Sequence, residues 1–201
     1  MANKITALVI AAHPDDETIW MGGTILKRKD WNWTIISLCR ASDKDREPKF
    51  RKVCKYYNAK SIILDLEDDK LEPIDIKEIV NLLKSNLKVF DYNYIFTHGE
   101  NGEYRHIRHK EVHQAVKQMI IDRVLLCKKL YFFNYEKGLN VPYPNLIAPK
   151  PILNSDFVVN LTEEQLNLKK MIVRDIYGYP NEKGFELMSC NKIETFNVDK
   201  F

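Results

Sequence analysis

Two short segments hold the residues best suited to chemistry. His13-Pro14-Asp15-Asp16-Glu17 lies near the start, and His106-Ile107-Arg108-His109 with His113 lies in mid-chain. Imidazole nitrogen and carboxylate oxygen are ordinary zinc ligands, and three such ligands with one open position make a hydrolytic centre. Pro14 drives His13 toward extended backbone and ends a strand, so a tight turn lets His13 and Asp16 converge on one point. Asp15 lies between them and should point elsewhere. A carboxylate beside a metal-activated water, but not itself a ligand, is what a general base requires. In the second segment His106 and His109 are three apart and His113 is four further on, so they share one face at a helix start. His109 alone, with His106 beside it, or a His109/His113 pair can ligate there. Each segment also has a plainer reading. Asp15, Asp16 and Glu17 suit a helix N-terminus, and Arg105 to Lys110 suits a solvent-facing first turn. The pair of segments says more than either alone if the fold brings both to one place.

The elements that would do so alternate along the chain. Ile5–Ala12 reads as a buried central strand ending at the acidic turn, and Thr18 to Lys27 as the helix after it. Thr34–Cys39 is a second strand, followed by the polar loop Arg40–Glu47. Phe50, Val53, Cys54 and Tyr57 recur at helical spacing. Ser61–Leu66 is a third strand, and Ile76, Ile79, Val80, Leu83 and Leu87 mark a further helix. Tyr94–Thr97 is a fourth strand, with the loop His98–Arg105 after it and a helix expected over His106 to Leu126. Leu130–Asn134 reads as a strand, Val141 to Pro151 as a Pro-rich loop, and Phe157–Asn160 as an edge strand. Thr162-Glu163-Glu164-Gln165 offers a capping box for a closing helix over Thr162–Tyr177, and the tail through Glu194-Thr195-Phe196 is expected to be irregular. This order predicts an α/β fold: a Rossmann-like, mostly parallel sheet flanked by helices, in one domain over 1–201. Such sheets bind ligands at the carboxyl ends of their strands, near a switch in strand order. Both chemical segments follow strand ends, and they meet if the first and fourth strands are neighbours.

Composition narrows the classes. The chain has 201 residues, net charge +3, 45% hydrophobic and 29% charged residues, which suits one globular domain and argues against a dedicated nucleic-acid binder. Cys39, Cys54, Cys127 and Cys190 form no CxxC pair, so free thiols and a reducing cytoplasm are expected. No apolar run approaches the ~20 residues of a transmembrane helix, and homo-oligomerisation is common for enzymes of this type. Gly22-Gly23 reads as a site of close helix–sheet packing. Asp43 and Arg46 lie at the ligand-binding end, where a solvated loop is the plainer reading. Tyr131, Phe132, Phe133 and Tyr135 read as core.

His13-Pro14-Asp15-Asp16-Glu17 after the first strand, with Gly22-Gly23 in the following helix, resembles the LmbE-like (PIG-L) de-N-acetylases. Gly102-Glu103-Tyr104-Arg105-His106-Ile107-Arg108-His109 is similar to that family's second motif, commonly Gly-Glu-Tyr-Gly-His-Pro-Asp-His. Arg46, Lys49 and Phe50, and Glu194 and Phe196, also sit where family features are expected. The resemblance implies one zinc ion held by His13, Asp16 and His109, leaving His113 a non-ligand. It implies Asp15 as general base and His106 as the group that stabilises the oxyanion, as a cation, or protonates the amine. It implies a small-molecule substrate, an N-acetylglucosamine-type conjugate losing acetate. Ile107 and Arg108 stand where Pro and Asp are frequent, and Arg105 where Gly is frequent. Arg108 cannot accept the His106 proton, as that Asp can. Two other readings are a metal hydrolase of another amide or ester bond, and a non-catalytic sugar-binding member of the fold.

Overall fold

The computed structural model describes residues 4–136 and 146–199. Its strands form one seven-stranded sheet in the order β3-β2-β1-β4-β5-β7-β6. β1 (Thr6–Ala11) is apolar at nearly every position because it lies centrally and is covered on both faces. It pairs in parallel with β2 (Asn32–Ser37) and β4 (Asp91–Thr97). β3 (Lys60–Ile63) extends one side in parallel and β5 (Leu126–Phe133) the other. Chain order therefore reverses between β1 and β4, and the carboxyl ends of these two strands flank the switch point. β6 (Phe157–Asn160) is an edge strand, as expected.

Helices cover both faces. α1 (Asp16–Lys27), α2 (Arg46–Tyr56) and α6 (Glu163–Met171), which runs on into a π-helical turn at Ile172–Tyr177, lie on one side. α3 (Ile76–Asn86) and α5 (Ile107–Ile121) pack on the other with Leu83, Val112, Val116 and Met119. Thr162 forms the expected capping box with Gln165. The aromatic set at Tyr131, Phe132, Phe133 and Tyr135 is buried. All four cysteines are free thiols.

Three expectations need correction. The helix expected to reach Leu126 ends at Ile121, where Arg123 turns to a left-handed φ of 54°, and Leu126 already begins β5. The loop expected over His98–Arg105 contains a short helical turn, α4 (Gly102–Arg105). The tail is not irregular: α7 (Phe185–Ser189) leads to β7 (Ile193–Val198), which inserts antiparallel between β5 and β6. Part of the Pro-rich loop, 141–145, lies outside the described residues.

β7 carries Glu194 beneath α1. That helix kinks at Met21 (φ −147°), which frees the N–H groups of Gly23 and Thr24 from the helical ladder. Both donate to Glu194, at 2.8 and 2.7 Å, as does the Thr24 hydroxyl. Lys169 supplies the counter-charge at 2.7 Å, with both side chains fully buried. The close-packing reading of Gly23 holds: a Cβ there would lie 2.3 Å from Leu161 Cδ2.

Candidate metal centre and active site

The acidic turn sits directly above the end of β1. Pro14 leads into Asp15, whose φ of 111° is a conformation that L-residues rarely adopt. Strain of this kind costs on the order of 1–3 kcal/mol and collects at functional positions. The Asp15 carbonyl accepts the Thr18 and Ile19 N–H groups and so starts α1. Asp16 turns inward, where its Oδ2 accepts the His13 N–H at 2.8 Å and its Oδ1 accepts the Trp20 indole N–H at 2.9 Å.

α5 delivers the second segment to the same place. His13 Nδ1 lies 3.2 Å from His109 Nε2 and 3.3 Å from Asp16 Oδ2. His109 Nε2 lies 3.4 Å from that same oxygen. Three ligand-type atoms thus form a nearly equilateral triangle. A tetrahedral site with bonds of about 2.1 Å places its ligand atoms about 3.4 Å apart. The three predicted metal residues are therefore brought together at the spacing a small divalent cation needs. The His98 ring stacks on His109 with centroids 3.8 Å apart, and His13, His106 and His109 also converge closely enough to share an ion. His113 lies outside the triangle, its Nδ1–H donating to the His98 carbonyl at 2.9 Å.

Both histidines of the triangle are held by carboxylates. His109 Nδ1 donates to Glu103 Oε2 at 2.5 Å, which leaves Nε2 as the lone-pair atom. Glu103 also receives His98 Nδ1 at 2.9 Å and the Gly99 N–H at 2.8 Å. Burial would raise the Glu103 carboxyl; the His98 and His109 imidazoles outweigh it and hold it at about 2. Burial likewise opposes ionisation of Asp16, but the facing His109 and His98 rings hold it well below the usual carboxylate range. His98 Nε2 accepts the Ala12 N–H at 2.9 Å, tying the ends of β1 and β4 together. On the other side, His13 Nε2 meets Asp68 Oδ1 at 3.1 Å.

Asp15 and His106 line the cleft above this triangle, a cavity of about 610 Å³ also lined by Trp20, Arg46, Tyr104 and Phe185. The Tyr179 hydroxyl donates to Asp15 Oδ2 at 2.9 Å, and Arg46 Nη1 stands 3.5 Å from it. Among the described residues no hydrogen bond engages Asp15 Oδ1. Burial pushes the Asp15 carboxyl up to about 8 against the pull of Arg46. Arg46 is thus a cleft residue rather than part of a solvated loop, whereas Asp43 caps α2 by accepting the Asp45 and Arg46 N–H groups. His106 caps α5, its Nδ1 accepting the Arg108 N–H at 3.3 Å, so the neutral ring carries its proton on Nε2. Its ring lies 4.7 Å from His13 and 4.8 Å from His109. Burial, with His109 and His13 alongside, pushes His106 down to about 2, which favours the neutral ring over the expected cation.

His98 belongs to the histidine-rich stretch and Glu103 to the second motif, but neither is given a role from the sequence, and Asp68 is not singled out there at all. A signal for His98 was its place directly after the fourth strand. Asp68 sits in Glu67-Asp68-Asp69-Lys70, which has the look of a solvated charge run.

The description of the matching family model is PIG-L, GlcNAc-PI de-N-acetylase, and the match spans residues 8–120, more than half of the chain and both chemical segments. The chain belongs to the PIG-L (LmbE-like) family. An uncharacterized protein of Acanthamoeba polyphaga mimivirus, L374, is 26% identical over 161 residues, covering 72% of this chain and 68% of that one. Among solved structures, GalB, the 4-carboxy-2-hydroxymuconate hydratase of Pseudomonas putida KT2440, superposes with TM-score 0.65 at 10% identity, covering 97% of this chain and 95% of its own. The N,N'-diacetylchitobiose deacetylase of Pyrococcus horikoshii superposes with TM-score 0.57 at 14% identity, covering 98% and 84%. These likenesses establish a shared fold. Among the described residues no helix is long and apolar enough to cross a membrane.

Proposed function

We propose that this PIG-L family member is a zinc-dependent hydrolase that removes the N-acetyl group from an N-acetylglucosamine-type conjugate and releases acetate. One observation carries the reading: His13 Nδ1, His109 Nε2 and Asp16 Oδ2 stand 3.2–3.4 Å apart beneath an open cleft. Two imidazoles and one carboxylate are a zinc donor set that leaves a coordination position free. Zinc bound there would polarise the amide carbonyl and make water nucleophilic near neutral pH.

The chain's own residues account for the rest. Asp15 takes the proton of the attacking water; Tyr179 and Arg46 hold one of its oxygens and leave the other available. His106 presents an Nε2–H to the carbonyl oxygen as negative charge develops on it. Being fixed to the α5 backbone, it needs no reorganisation during the reaction. Trp20, Tyr104 and Phe185 give the cleft aromatic walls on which a sugar ring can lie. The names of the family, GlcNAc-PI de-N-acetylase, and of the chitobiose deacetylase support an amino sugar as substrate.

The hydratase neighbour keeps one other reading open, in which the same water is added to an unsaturated acid. A panel of N-acetylated amino sugars with added zinc separates the two. Free amine and acetate in equal amounts are expected. Turnover of an unsaturated acid without amine release would replace this reading with the other.

A further inference from the structure

Arg108 stands where the family motif commonly has an acid, yet it is fully buried and makes four hydrogen bonds. Its Nε donates to the Glu67 carbonyl at 2.5 Å and Nη1 to Glu111 Oε2 at 2.6 Å. Nη2 reaches Glu67 Oε2 at 2.7 Å and the Glu72 carbonyl at 2.8 Å. Glu111 adds a fifth tie from α5 by accepting the Ile74 N–H at 2.8 Å. The segment between β3 and α3 is thus fastened on both sides of Asp68. A planar guanidinium with four of its five N–H donors engaged fixes direction as well as distance, which a lysine ammonium does less well.

Asp68 spends its two oxygens on different partners. Oδ2 accepts from Arg40 Nη2 at 2.7 Å, and Oδ1 faces His13 Nε2 at 3.1 Å. An ionised carboxylate only accepts, so Asp68 holds a proton on His13 Nε2, and in the neutral ring the lone pair is on Nδ1, the atom that faces Asp16 and His109. His109 is treated the opposite way round: Glu103 holds its Nδ1–H and exposes Nε2.

Building on the proposed metal hydrolase, we infer that Asp68 and Arg108 are positioning residues of the metal centre. Asp68 selects the His13 tautomer that can ligate, and Arg108 holds the loop that brings Asp68 there. The acid absent from the second motif is thereby supplied from another loop, to a different histidine. Outer partners of metal-ligating histidines typically account for about 10–100-fold in metal affinity.

The test is zinc affinity by competition with a chromophoric chelator, with the absorption spectrum of the cobalt form and the melting temperature of the metal-free protein measured alongside. Asp68→Ala should bind zinc about 10–100-fold more weakly and shift the cobalt bands, with the melting temperature of the metal-free protein little changed. Asp68→Asn, whose amide oxygen still accepts the Nε2 proton, should recover part of the loss. Arg108→Lys should weaken zinc in the same direction, and its effect should not add to that of Asp68→Ala, since both act through one contact. Asp68→Ala binding zinc within threefold of wild type would overturn the inference while leaving the hydrolase reading intact. Full additivity of the two substitutions would remove Arg108 from it. A wild-type chain that takes up no zinc would sink the hydrolase reading and this one together.

Discussion

Two buried charged clusters sit at opposite ends of α1 and differ in how their charges are met. Under the helix kink, Glu194 receives two backbone N–H groups, a hydroxyl and the Lys169 ammonium. Donors meet acceptors throughout, and nothing further is required. At the N-terminal end, Asp16 Oδ2, His13 Nδ1 and His109 Nε2 point toward one another. Glu103 and Asp68 hold the far-side nitrogens of the two histidine rings, so the near-side nitrogens and the Asp16 oxygen face one space. A buried group of facing acceptors is costly unless a cation sits among them. The contrast shows that burial of charge alone does not mark a site. What marks one is a set of ligand-type atoms facing one another at the spacing of a coordination shell.

Asp15→Asn gives the largest expected effect and sharpens the contrast from the catalytic side. Turnover should fall about 10²–10⁴-fold while zinc stays bound, because Asp15 lines the cleft without joining the triangle. Undiminished turnover in steady-state assays would mean another group is the base. Lys169→Met breaks the satisfied cluster and should act on stability instead. Removing one partner of a buried pair costs about 3–5 kcal/mol, and the three remaining donors to Glu194 place this case toward the lower end. Denaturant unfolding reads the loss; zinc affinity measured well below the unfolding midpoint should not move. A drop in zinc affinity there would join the two clusters and erase the distinction. Glu103→Gln is the smallest change. The amide can still accept the His109 proton but lacks the charge, so zinc should weaken about 10–100-fold in a chelator competition. An affinity equal to wild type would make Glu103 a purely structural partner of His98 and Gly99.

Much of this was legible in the sequence. The strand–helix alternation carried the parallel half of the sheet, whereas the adjacency of β1 and β4, on which the meeting of the two chemically rich turns depends, is supplied by the structure. The Pro14 turn carried His13, Asp15 and Asp16, because a local backbone constraint decides their directions. The parts that escaped depend on distant partners. β7 lacks apolar alternation because Glu194 points inward to Lys169, and an ion pair formed across 25 positions leaves no periodic trace. α5 seemed to continue because Val124 and Leu125 extend the apolar run, while the turn at Asp122-Arg123 uses a left-handed residue that is not glycine. Glu103 takes its place through a φ of 50° in α4, and Asp68 through Arg108. The question of what orients His106 without the usual acid has a backbone answer, the Arg108 N–H. The side chain of Arg108 works on the opposite side of the centre.

The central claim is that one divalent cation is shared by the acidic turn and the first turn of α5. Zinc titration of metal-free wild type, His109→Ala and His113→Ala tests it most directly. One zinc per chain is expected in wild type and His113→Ala, with stoichiometric binding lost in His109→Ala. Retention of zinc by His109→Ala together with its loss from His113→Ala would contradict the account and move the metal one helical turn along α5.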